Sequence, residues 1–153
     1  MTALDLLDAA YDERLRALER IRAAAASLHA SRARLESASR TWIAAVKRHE
    51  QRAREALAAG DETAARVAAA ACVPIDGDIE AAAVQRERYL ATERTLAAAR
   101  DIVTGQLDSV RRRRESLGGV QSGAAAMDRL RAELAALATE YEPVERALGS
   151  TQP

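Results

Sequence analysis

Ala53-Arg54-Glu55-Ala56-Leu57-Ala58-Ala59-Gly60-Asp61-Glu62-Thr63-Ala64-Ala65-Arg66 decides the fold of this 153-residue chain. Gly60 is the first glycine, and no proline precedes it. Glycine suits the left-handed position just past a helix, and Asp61 is a cap for a new one, with Glu62 in its first turn. Two long helices joined by so short a link are expected to run antiparallel, with Gly60 at the tip.

Upstream, a seven-residue apolar pattern runs from Leu4 through Leu7, Tyr11, Leu18, Ile21, Leu28, Leu35, Trp42 and Val46 to Ala56. Arg14, Arg32, Ser39 and His49 interrupt it. Thr2 is the expected N-cap, with Asp5 and Asp8 near the positive end of the helix dipole. A helix from Ala3 to Ala59 would extend about 80 Å, more than a compact core of this size can enclose. Downstream, Pro74-Ile75-Asp76-Gly77-Asp78 predicts a break, because proline lacks an N–H and clashes with the preceding turn. Helical spacing resumes at Ile79, Tyr89, Leu96, Val103, Leu107, Val110 and Leu117.

The expected fold class is therefore all-α: a long antiparallel coiled-coil helical hairpin over residues 1–117, followed by a shorter C-terminal helix. Residues 118–123 read as a Gly-rich linker. The C-terminal helix is placed at 124–148 and a tail at 149–153. Pro143 is expected to stop or bend that helix. The linker lets it fold back as part of the hairpin's cover, and its Leu130, Leu134 and Leu137 are candidate interaction residues.

Composition agrees. Alanine, the strongest helix former, supplies about a quarter of the residues, and aromatics supply only 3%. Charged residues make up 30% at a net charge of zero, which implies both signs interleaved on solvated faces. Cys72 is the only cysteine, so neither an internal disulfide nor a cysteine zinc cluster is expected. The N-terminus has no signal-peptide pattern, and the longest uncharged stretch, Val67 to Ile75, is far below the roughly 20 residues of a membrane span. The expectation is a cytoplasmic protein.

Trp42, Ala53-Arg54-Glu55-Ala56-Leu57, Gly60-Asp61-Glu62, Ala65-Arg66 and Ala68 resemble the hairpin tip of the phage-shock-protein A family, relatives of ESCRT-III proteins. That family carries Trp-Glu-x-x-Ala-x-x-Ala-Leu, a short turn, then Glu-Asp-Leu-Ala-Arg-x-Ala-Leu. Ala64 and Ala69 stand where the family has leucine, and the segment Pro74 to Gly77 is foreign to it. The resemblance spans about Leu4 to Leu117, as of a divergent member without the family's N-terminal amphipathic helix and later helices. It implies a role in envelope stress or membrane maintenance, by self-association at the inner face of the membrane.

Candidate sites are few. Arg111, Arg112, Arg113 and Arg114 suit an anionic lipid surface. If residue i faces a residue near 120 minus i, they lie beside Asp5, Asp8, Asp12 and Glu13, and ion pairing there is the favoured reading. Zero net charge argues against nucleic acid. Trp42 sits at a seam position, where packing competes with anchoring a partner helix. His49 and Cys72 fall opposite each other in the same register, yet a nucleophile pair needs a third orienting group that is absent from the sequence. No catalytic residue, cofactor, metal or small-molecule substrate is expected. The functional expectation is a non-enzymatic assembly or regulatory protein, a homo-oligomer. The competing class is a coiled-coil adaptor for a partner protein's helix, with no membrane role.

Overall fold

The computed structural model describes residues 2–117 and 123–151, which are all-helical apart from short turns. The helices are α1 (Ala3–Ala58), α2 (Glu62–Ser116), α3 (Ala124–Thr139) and α4 (Glu142–Gly149). No strand occurs among the described residues.

Capping explains where α1 begins and ends. The Asp5 amide donates to Thr2 Oγ1 at 3.1 Å, and the Thr2 amide donates to Asp5 Oδ2 at 2.7 Å, a reciprocal N-terminal box. At the other end the Gly60 amide donates to the Leu57 carbonyl, and the Asp61 amide donates to the Ala56 carbonyl. This 5→2 and 6→1 pair is a Schellman motif, and it places Gly60 at φ +78°, where a Cβ would be strained. The Asp61 carboxylate then accepts the Ala64 amide at 3.0 Å and starts α2.

The expected break at Pro74–Gly77 is absent: α2 runs through Pro74 from Glu62 to Ser116. Proline costs the helix one backbone bond and some steric strain. Long Ala-rich helical runs on both sides offset this, with Cys72 and Ala82 buried on one side of the helix and Pro74 itself on the exposed side. The C-terminal helix differs as well. Instead of one helix over 124–148, the chain turns at Glu140–Tyr141, and Pro143 lies in the first turn of α4, where a missing N–H removes nothing. Of the expected linker, residues 118–122 lie outside the described residues, and Gly123 is the N-cap residue of α3.

The chain divides into two compact units, Met1–Ser27 with Thr92–Pro153, and Leu28–Ala91. In the first unit, called the bundle below, segments of α1 and α2 pack with α3 and α4. Ala3, Leu7, Ala10, Val110 and Leu130 form a buried cluster, against which Leu6, Tyr11, Leu117, Met127, Leu134 and Leu137 pack. Ile21, Leu96, Val103 and Val144 are also almost fully buried. The second unit holds only segments of α1 and α2, in close contact.

Candidate helix-docking surface

In the two-helix unit the seam is made by small side chains. Only Ala65, Cys72 and Ala82 are buried. Trp42, Val46 and His49 are half-buried. The contacts from α1 to α2 here include Glu36 with Arg86 and Cys72 with Val46. Glu36 Oε1 accepts from Arg32 Nη1 at 3.1 Å and from Arg86 Nε at 3.0 Å. The Cys72 thiol points at the Val46 carbonyl (3.9 Å) and the Ala68 carbonyl (3.8 Å). The guanidinium groups, Arg32 first and then Arg86, hold the Glu36 carboxyl below the usual carboxylate range.

Large apolar side chains lie outside that seam. Leu57, Val67, Val73 and Val84 are each more than half exposed, Val73 reaching 70%, and Ile43 is exposed too. Scattered surface leucines are ordinary, but a unit whose largest buried side chain is a cysteine while its valines face water is incompletely covered.

Cys72 makes no hydrogen bond to His49 among the described residues, so the opposition expected from the register does not become a nucleophile pair. Burial first, then Asp76 and Glu50, pushes the Cys72 thiol up, the reverse of what an activated thiolate needs. No group of three or more His, Cys, Asp or Glu is placed to hold a metal ion among the described residues.

No family model matches the chain, and neither a curated protein nor a solved structure matches it. The site residues therefore rest on geometry alone.

The arginine cluster is largely engaged within the bundle. Arg111 meets Asp108 at 3.2 Å, Arg113 meets Glu133 at 3.2 Å, and Arg114 meets Asp8 at 2.9 Å. Arg112 is exposed. Leu130 is buried and Leu134 and Leu137 are half-buried against the Ala3–Leu7–Ala10–Val110 cluster, so these leucines cover the chain's own helices. No helix among the described residues is long and apolar enough to cross a membrane.

Sequence reasoning marked Arg14 only as an interruption of the apolar pattern. It is a buried hub, 4% exposed. Its Nε donates to Gln106 Oε1 at 3.0 Å and its Nη1 to the Ala10 carbonyl at 3.0 Å. Its guanidinium also lies 5.9 Å from the centre of the Tyr141 ring. Gln106 in turn donates to the Leu137 carbonyl at 2.9 Å, which joins α1, α2 and α3 through two side chains. The Tyr141 hydroxyl is buried without a hydrogen-bond partner among the described residues, and burial pushes its phenol up, Glu145 adding to the shift. The signal for Gln106 was its place between Val103 and Val110 on one helix face.

Proposed function

We propose that the protein is a non-enzymatic helical hairpin of the coiled-coil type that works by docking helices, in the first place those of further copies of itself. The bundle is its cored unit, and Leu28–Ala91 is its docking segment. The carrying observation is the imbalance in that segment, where Ala65, Cys72 and Ala82 are the whole buried set while Leu57, Val67, Val73 and Val84 stand exposed. Side chains this small contribute little at about 25 cal/mol per Å² of buried apolar area, so further helices have much to add. The contacts Asp8–Arg114, Arg14–Gln106, Glu36–Arg86 and Val46–Cys72 support antiparallel pairing, because each lies near the 120-minus-i register.

Sedimentation equilibrium across a concentration series tests this reading. Association above the single-chain mass of 16.4 kDa is expected, and a single chain at every concentration overturns it. The resemblance to phage-shock-protein A adds a setting, envelope stress or membrane maintenance. The ion pairs of Arg111, Arg113 and Arg114 favour a second reading, an adaptor without a membrane role. Co-sedimentation with anionic vesicles at low salt separates the two, and no binding there removes the membrane setting.

A further inference from the structure

In Leu28–Ala91, one flank of α1 and one flank of α2 carry exposed charges of opposite sign. On α1, Arg40 and Lys47 are exposed and flank Ile43 at spacings of three and four, so the three residues share one side of the helix. On α2, Val73, Asp76, Glu80 and Val84 follow at spacings of three, four and four and share one side likewise. Between Arg66 and Arg86 this helix carries no basic residue, so Asp76 and Glu80 have no cation one turn away. Arg40, Lys47, Asp76 and Glu80 make no ion pair among the described residues, whereas Arg32, Glu36 and Arg86 of the same unit do. Each flank thus has an apolar element and unspent charge, positive on α1 and negative on α2.

We propose that a second copy of this chain docks here, the Arg40–Ile43–Lys47 side of each copy's α1 lying along the Val73–Asp76–Glu80–Val84 side of the other's α2. In a two-fold contact every such pairing occurs twice, so opposite charges meet on both sides of Ile43. Ile43 lies over the stretch between Asp76 and Glu80 of the other copy, with Val73 and Val84 flanking the two charged contacts. Lys47 meets Asp76, and Arg40 meets Glu80. Charge complementarity sets the register and excludes like-on-like stacking of two α1 flanks, and burial of Ile43, Val73 and Val84 adds adhesion. The proposal rests on the self-association reading above and names its surface.

The test uses the full chain and two double variants, Asp76→Lys/Glu80→Lys and Arg40→Glu/Lys47→Glu, all at exposed positions. Helix content and melting of each alone check that the fold is kept. The wild type is expected to move from 16.4 kDa toward twice that mass over about 1 to 300 µM, a range suited to a modest interface. Each double variant alone is expected to associate at least about tenfold more weakly, because it places like charges together. An equimolar mixture is expected to regain wild-type association, since all basic and all acidic flanks complement each other at both contacts. A non-specific loss of stability would not be rescued by mixing. If the wild type associates and both variants alone associate equally well, self-association stands but this surface is wrong. Weakened variants that fail to recover on mixing also overturn the surface. A wild type that stays at one chain throughout overturns the self-association reading itself.

Discussion

The bundle and the two-helix unit are built from the same two helices and much the same residue types, yet one has a core and the other has not. The bundle buries Leu7, Ile21, Leu96, Val103, Val110, Leu130 and Val144 almost completely. Leu28–Ala91 buries nothing larger than Cys72. The difference lies in the cover. Where α3 and α4 pack on the pair, large side chains have a third surface to enter. Where only α1 and α2 meet, alanines let them approach closely and the valines are left outside. Helical propensity holds for both, but most helical stability comes from packing an apolar face, so the two units should respond very differently to substitution.

The largest expected effect is on the bundle. Leu130→Ala removes the anchor of α3 and should destabilise the protein by about 2–5 kcal/mol in urea unfolding. Leu57→Ala, at an exposed position of the other unit, should stay within about 0.5 kcal/mol for the unassociated chain. Equal costs would break the contrast. Pro74→Ala should act in the opposite direction. It restores a missing backbone bond at an exposed site and is expected to stabilise α2 by as much as about 3 kcal/mol. Slower amide exchange across residues 66–78 would locate the gain, and no gain would mean that the helix has already relaxed around the ring.

Gln106→Leu sharpens the comparison inside the bundle. It leaves Nε of the buried Arg14 without its acceptor, although Nη1 keeps the Ala10 carbonyl and Glu13 Oε2 (3.5 Å), and the Leu137 carbonyl without its donor, at a cost of about 1–3 kcal/mol. Adding Arg14→Met should cost less than the two single changes summed, since the stranded Nε donor goes with it. Additive costs would show that Arg14 and Gln106 do not act as one network. Gly60→Ala is expected to cost about 1 kcal/mol, because φ +78° suits no side chain.

Much of this was legible in the sequence, for local reasons. Thr2, Gly60 and Asp61 act on atoms within a few residues, and each caps as its type dictates. Pro74 was misread because the rule against proline is also local, whereas the helix that tolerates it is held by residues on both sides. Pro143 reads as a stop or a bend, and the chain does turn beside it, yet its missing N–H suits the start of α4 equally well. Leu130, Leu134 and Leu137 showed their periodicity, and the fold-back on the hairpin was expected from the linker. The role of Arg14 was hidden, since a cation at an apolar position reads as a flaw until Gln106 and Tyr141 come from distant parts of the chain to meet it.

The smallest expected effect concerns pH, and it separates local from interhelical electrostatics. In the bundle, Asp5 is held below its ordinary range chiefly by the backbone and hydroxyl of Thr2, three residues away. In the two-helix unit, Glu36 is lowered by Arg32 and by Arg86 of the other helix. A depressed carboxyl pKa adds stability that is present above the ordinary carboxylate value and is lost as pH falls through the lower folded value. Glu36→Gln should therefore melt at a lower temperature than the wild type at neutral pH, and the gap should close under acid conditions as the wild-type carboxyl protonates. Salt should narrow the gap too, because these groups are solvent-accessible. A matching acid-dependent gap is expected for Asp5→Asn, with less response to salt, since its partners are neutral. If Glu36→Gln shows no gap at neutral pH, the Arg86 contact does not tie the two helices, and the unit depends on its alanine seam alone.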